Sequence, residues 1–346
     1  MNEIDFYYPL FSSIAKVVDE LHMMYAIGVP EKEWEDISHL HKLELSSAVR
    51  STTFQFLLSR ANILKQTQSV SADVIFALSE LWTLQFSSYS SGKLHIPFVI
   101  WLRGDHREVR LMRRVSWLKR VIIDFLETRY LNRATFVIPN SLSMHEKLEK
   151  WGVSKDKITK PIHNCVDSTV FKPLNVERSN KFTVAYAGRI VPEKRVDKLL
   201  KIAEEMPNVN FIMAGGKSMD VTFPNNVQYL GKLPFREMPM FYNKADLLVL
   251  PSETEGFPSV ILEAYACEKP VLVTPEAFPK ELELFGTMAG IEEFGRKIRD
   301  LENSDLTDTG RKARNYVKTH FSWERFGLEI HNCLERATST KKPRTS

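Results

Sequence analysis

The run Asp246-Leu-Leu-Val-Leu-Pro-Ser252 is apolar without interruption and has the length of a strand covered on both faces. Residues 182–187, 209–214, 226–230, 246–250 and 270–274 all read as short strands, separated by helix-like stretches such as 194–206 and 236–245. Strand and helix in alternation predict an α/β fold with a doubly wound parallel sheet, whose ligands bind beyond the carboxyl ends of its strands. The first half is less regular, but residues 4–9, 73–78, 98–102 and 135–139 suffice for a second Rossmann-like sheet. At 346 residues the chain is long for one core and suits two domains of about 150 to 175 residues. The expected boundaries are 1–173 and 174–322, with the polar stretch 175–180 as linker and residues 323–337 as a closing helix packed back on the first domain.

The turn after residue 250 carries the chemistry. Glu255-Gly-Phe-Pro-Ser-Val-Ile-Leu-Glu263 sets two carboxylates across a strand-to-helix turn. Pro258 suits the first helical position, which leaves the amides of Ser259, Val260 and Ile261 pointing back into the turn, where they attract anions. Glu263 falls in a helix apolar on nearly every face, and an unpaired carboxylate there costs several kcal/mol, on the order of a buried polar group without a partner. Either a salt bridge or cap inside the core satisfies it, or a hydroxyl-rich ligand does.

Gly188 ends another apolar strand and lets the backbone turn, so that Arg189 and Lys194 can converge on one anion such as a diphosphate. Taken alone, the two cations read more readily as ordinary solvated charges.

Together these segments resemble the E-x7-E motif and phosphate loop of the retaining glycosyltransferases of family 4, which have the two-domain GT-B fold. Asn210-Phe-Ile-Met-Ala-Gly-Gly216, Asn226-Val-Gln-Tyr-Leu-Gly231 and Phe321-Ser-Trp323-Glu are similar to further segments of that family, and the likeness is dense from about residue 134 onward. The resemblance implies two Rossmann-like domains facing each other across a cleft, and transfer of a hexose from a nucleotide diphosphate sugar to an acceptor hydroxyl with retention. It also implies that no metal or other cofactor is needed. Glu263 would hold the ribose, Glu255 the transferred sugar, and Gly256, Phe257, Pro258, Ser259 and Val260 the sugar or phosphates. Gly188, Arg189 and Lys194 would take the diphosphate. No carboxylate is placed as a nucleophile, so departure and attack on one face of the sugar, assisted by the diphosphate, are expected.

Three stretches depart from the family pattern. Tyr8-Pro-Leu-Phe-Ser-Ser13 has no glycine where relatives have a glycine-rich loop after their first strand. Pro275-Glu-Ala-Phe-Pro-Lys-Glu281 replaces a glycine-containing loop, and Glu268 stands for a glycine before Lys269-Pro270. Two alternatives therefore stand beside the transferase: a non-catalytic nucleotide-sugar-binding subunit, and a sugar-nucleotide epimerase or hydrolase. At the end of strand 98–102, Arg103-Gly104-Asp105-His106 occupies the place where relatives turn a polar residue toward the donor sugar. His106, Gly104 and Arg103 are the candidates, with Asp105 orienting His106 or pairing with Arg103.

Residues 103–120 carry five more basic than acidic side chains, in a chain of net charge +4. Apolar residues and Trp117 interleave with them. Arg107, Arg110, Arg113 and Arg114 suit an anionic membrane surface, and with it a lipid-linked acceptor or a glycan, or else they line a solvated helix face. Nucleic acid is excluded as a partner for want of a motif or an aromatic platform. Cys165, Cys267 and Cys333 lack metal-ligand spacing, no apolar run reaches spanning length, and the amino terminus has no signal-like leader, which together point to a reduced, cytoplasmic setting with at most a peripheral membrane contact.

Overall fold

The computed structural model describes residues 3–25, 40–44, 61, 63–78, 81–112 and 114–340. They fall into two compact units. One holds residues 7–163 together with residues from 324 onward, and the other holds residues 164–323 with the amino-terminal end up to residue 6.

The first unit opens part-way along a helix, α1 (Glu3–Ala15), found where a strand was expected over residues 4–9. Ile4, Phe6 and Tyr8 alternate, but Leu10, Ser13 and Ile14 are buried at helical spacing and set the face that packs. The glycine-free stretch 8–13 is thus part of a helix that runs from Glu3. Two strands that the sequence did not announce, β1 (Leu21–Tyr25) and β2 (Leu40–Glu44), pair in parallel with Leu21 opposite Leu40. Their histidines and lysine hide them, because neither reads as a continuous apolar run. A three-stranded parallel sheet follows, β3 (Ile75–Leu78), β4 (Phe98–Leu102) and β5 (Phe136–Pro139), with β4 in the middle and all five of its residues buried. Helices α2 (Leu81–Leu94), α3 (His106–Met112), α4 (Trp117–Leu131) and α5 (Leu142–Lys150) connect these strands or flank them.

The second unit is one six-stranded parallel sheet: β6 (Thr183–Ala187), β7 (Asn210–Ala214), β8 (Val227–Tyr229), β9 (Leu247–Leu250), β10 (Val271–Val273) and β11 (Thr287–Met288). Their order across the sheet is β11-β10-β9-β6-β7-β8. The chain starts at β6, winds outward through β7 and β8, then returns to the other side of β6 as β9. Between β6 and β9 the winding direction reverses, which is where open parallel sheets bind their ligands. Helices α6 (Val196–Glu204), α7 (Met238–Lys244), α8 (Ser259–Ala266), α9 (Phe294–Glu302) and α10 (Thr307–His320) complete the unit. One core layer gathers Tyr242, Ile261, Leu262 and Tyr265, and the other gathers Leu199, Phe211, Phe294 and Ile298.

Asn164 is tied into this second unit by its amide, which donates to the Phe257 carbonyl at 2.5 Å, and Val166 follows with a bond to the Phe321 carbonyl. The closing helix, α11 (Trp323–Ser339), belongs from residue 324 to the first unit. There Phe326 lies 4.9 Å from Trp101 of β4, ring to ring. Gly327 lets α11 approach α1, since a β-carbon on it would stand 2.5 Å from the Ser13 carbonyl oxygen.

Candidate functional site

The loops leaving β6 and β9 lie side by side because these strands are paired, Val184 with Leu247 and Ala185 with Leu248. Three contacts zip the loops together. Lys194 Nζ sits 2.5 Å from Glu255 Oε1, Arg195 Nε donates to Glu253 Oε1 at 3.0 Å, and the Glu253 amide donates to the Glu193 carbonyl at 2.9 Å. Arg195 stands at φ 50° between a short 3-10 turn and α6, a left-handed residue that turns the chain into the helix. Lys194 and Glu255 are mostly enclosed, with 13% and 15% of their side chains exposed. Ser252, fully buried, donates from Oγ to the same Glu255 oxygen at 2.8 Å, and buried Thr274 donates to the Ser252 carbonyl. Glu255 therefore has one oxygen fixed by both a cation and a hydroxyl.

Arg189 and Lys194 each have a carboxylate neighbour. The Arg189 guanidinium is 62% exposed and 4.0 Å from Glu193, a residue buried in the loop, while Lys194 has turned to Glu255. The Arg189 backbone is held even so, because Tyr186 donates from its hydroxyl to the Arg189 carbonyl at 2.8 Å. Gly188 and Gly215 make this loop geometry possible. A β-carbon on Gly215 would meet the Gly188 carbonyl oxygen at 1.8 Å, a distance no side chain tolerates.

Helix α8 begins at Ser259, with Pro258 as its extended capping residue rather than its first helical one. The Ile261 amide closes back on the Pro258 carbonyl at 3.2 Å, so the amides of Ser259 and Val260 are those that open the helix. Glu263 lies one turn further, buried, and accepts a hydrogen bond from the Tyr242 hydroxyl at 2.6 Å. The partner that its burial demands is thus a phenol from α7. Burial pushes the Glu263 carboxyl up to about 7, against the lowering effect of that bond.

In the first unit, Asp105 is held by groups that the sequence did not point to, the Glu108 amide and Lys147. It is the cap of α3: its Oδ1 accepts from the Glu108 amide at 2.8 Å, and its Oδ2 lies 2.7 Å from Lys147 Nζ. Burial works to raise the Asp105 carboxyl, but the bonds from Lys147 and Glu108 hold it below the ordinary value. Arg103 has its guanidinium 5.3 Å from the Trp101 ring, and its carbonyl accepts from buried Asn140. A side chain on Gly104 would meet nothing within 4 Å, and His106 opens α3.

The basic segment divides in two. Arg107 reaches Glu127 at 3.0 Å, Thr128 at 2.6 Å and the face of Trp151, while Arg110 reaches Asp124 at 2.7 Å and Glu127 at 2.8 Å. These two arginines bind α3 to α4 and are not offered to a surface. Arg113 lies outside the described residues, and Arg114 is exposed.

The second unit so described, with two carboxylates across a strand-to-helix turn and a basic loop on the paired strand, has known counterparts. Residues 168–316 match the family Glycosyl transferases group 1. This group 1 region lies wholly inside the second unit and takes in Lys194, Glu255 and Glu263. Among curated proteins, the alpha-galactosylglucosyldiacylglycerol synthase of Streptococcus pneumoniae is 28% identical over 238 residues, 59% of this chain. The match spans 62% of that relative's own length. Among solved structures, Anabaena HepE in complex with UDP and glucose is 18% identical with a TM-score of 0.76, over 94% of this chain and 95% of that one. Sucrose-phosphate synthase from Thermosynechococcus elongatus is 16% identical with a TM-score of 0.77, over 96% and 92%. At these identities the likeness establishes the fold, which is GT-B.

Four residues of importance around the group 1 region and the α3 turn were not singled out by sequence reasoning: Ser252, Tyr242, Glu193 and Lys147. Ser252 had a usable signal, as a hydroxyl at a strand end beside Glu255. Tyr242 had none, because only the packing of α7 on α8 brings it to Glu263.

Proposed function

We propose that the chain is a retaining glycosyltransferase that moves a hexose from a nucleotide diphosphate sugar to an acceptor hydroxyl. The observation that carries this reading is the Lys194–Glu255 contact at the switch point, beside the opening of α8. It stores one cation and one carboxylate that a sugar diphosphate would separate. Lys194 goes to the leaving phosphates, joined by exposed Arg189, by the backbone at Gly188 and by the amides of Ser259 and Val260. Glu255, held by Ser252, accepts from the hexose hydroxyls, with Gly256, Phe257 and Pro258 shaping the turn. Glu263 keeps one oxygen on Tyr242 and turns the other to the ribose.

In the transfer the bond from the anomeric carbon to the diphosphate breaks, and the acceptor oxygen bonds to the same face. The acceptor proton passes to the departing phosphate oxygen. Charge growing on the diphosphate is met by Lys194 and Arg189, which makes a metal unnecessary. The Streptococcus relative, named for a diacylglycerol glycolipid, and the neighbour bound to UDP and glucose support a UDP-hexose donor and a lipid-linked acceptor. The setting is cytoplasmic with peripheral attachment at the inner face of the membrane; among the described residues no helix is long and apolar enough to cross one.

The test is incubation with UDP-glucose or UDP-galactose and a glycolipid acceptor, in EDTA, followed by NMR of the anomeric linkage. An α-linked product formed in EDTA supports the proposal. Release of free hexose or an epimerised donor without acceptor replaces it with hydrolysis or epimerisation, and dependence on manganese overturns the metal-free step.

A further inference from the structure

Helices of a folded unit turn their apolar stripe inward, yet α4 also carries one outward. Trp117, Leu118, Val121, Ile122 and Phe125 share one arc of the helix and all are exposed, Trp117 to 70% and Phe125 to 63%. The inward side is already taken by Glu127 and Leu131, both buried. The charge around this arc follows from the ion pairs of α3. Asp124 and Glu127 are the acids of α4, and Arg107 and Arg110 neutralise both from within the unit. Arg114, Lys119 and Arg129 are exposed. The outward surface is therefore apolar in its centre and basic at its margins.

We propose that this face docks on an anionic bilayer, with Trp117, Leu118, Val121, Ile122 and Phe125 entering the boundary between headgroups and acyl chains and Arg114, Lys119 and Arg129 meeting lipid phosphates. Charge selects this occupant over a second copy of the chain, since two such faces would set like charges against each other. The inference deepens the peripheral contact of the proposed function and relocates it from the arginines of α3 to the apolar face of α4. It does not depend on the transfer reaction, because a protein that turned over no donor would still partition.

The experiment is sedimentation of the full chain with vesicles of phosphatidylcholine alone and of phosphatidylcholine with phosphatidylglycerol, at low and high salt. Binding is expected to the anionic vesicles only, weakened by salt. Trp117→Ser with Phe125→Ser should lower the partition at least ten-fold at unchanged melting temperature and unchanged UDP affinity. Lys119→Glu with Arg129→Glu should lower it several-fold without touching the apolar arc. Absence of binding to anionic vesicles at low salt, or full binding by both double variants, overturns the proposal. So does a concentration-dependent dimer abolished by Phe125→Ser, which would make a second copy the occupant. Vesicle binding with no detectable UDP affinity would uphold the surface and count against the donor site alone.

Discussion

Lys194 Nζ and Glu255 Oε1 are 2.5 Å apart across two loops whose strands, β6 and β9, are neighbours in space and 60 residues apart in the chain. The contact satisfies two mostly enclosed charges, and in the proposed reaction each is released when the other finds a ligand. This exchange makes the two residues unequal under mutation. Lys194→Ala should weaken UDP binding and cost about 1 to 3 kcal/mol in kcat/KM, as for a charged hydrogen bond. Glu255→Gln should lower kcat while UDP binds as tightly as before or tighter, since Lys194 is freed. Calorimetry with UDP separates the two, and equal loss of UDP affinity in both variants would make the pair a structural bridge only.

Ser252→Ala removes one of the two groups that fix the Glu255 oxygen and touches no ligand. Turnover should fall by about 1 kcal/mol, the worth of a neutral hydrogen bond, with UDP affinity unchanged and with rescue by Ser252→Thr. A melting temperature that falls without any change in kcat would assign Ser252 to folding alone.

Glu263 gives the stability a pH dependence of definite sign. Its carboxyl rises from 4.5 to about 7 on folding, so the folded state holds a proton that the unfolded state releases. Stability should therefore fall as pH rises from about 4.5 to about 7 and level off above, by up to about 3 kcal/mol for a shift of this size. Glu263→Gln keeps an acceptor for Tyr242 and should flatten that slope in thermal melts across the window. An unchanged slope would mean that the carboxyl is ionised throughout.

Asp105 acts in the opposite sense. Its carboxyl is held below 3.8 by Lys147 and the Glu108 amide, so its contribution is present above that value and is lost as the pH falls through and below it. Asp105→Ala should cost about 1 to 2 kcal/mol at pH 7, the range of a lost helix cap, and less at pH 3. A deficit that stays constant between these pH values would rule out the carboxylate as its source.

Gly215→Ala would place a β-carbon 1.8 Å from the Gly188 carbonyl oxygen, whereas Gly216→Ala meets nothing within 4 Å. The first should destabilise by more than about 3 kcal/mol or prevent folding, and the second should stay within about 1 kcal/mol. Comparable melting temperatures for both would show that the loops can separate.

The sequence by itself determined most of the second unit's frame. Strands β6, β9 and β10 are buried on both faces and read as apolar runs, so pattern and spacing set the α/β class and the positions of five strands, while the two-residue β11 was not foreseen. The first unit was legible only in β3, β4 and β5. Residues 4–9 show a strand's alternation over too short a span to outweigh the helical spacing of Leu10, Ser13 and Ile14, and β1 and β2 are interrupted by polar residues.

Partners were decided by tertiary structure alone. A charge in a sequence has no fixed counterion, because side chains reach across elements that the chain order keeps apart. Lys194 is therefore found on Glu255, Glu263 on Tyr242, Asp105 on Lys147, and Arg107 and Arg110 on the acids of α4. Those last pairings turned a basic segment into an apolar face with basic margins, a property that composition could not contain.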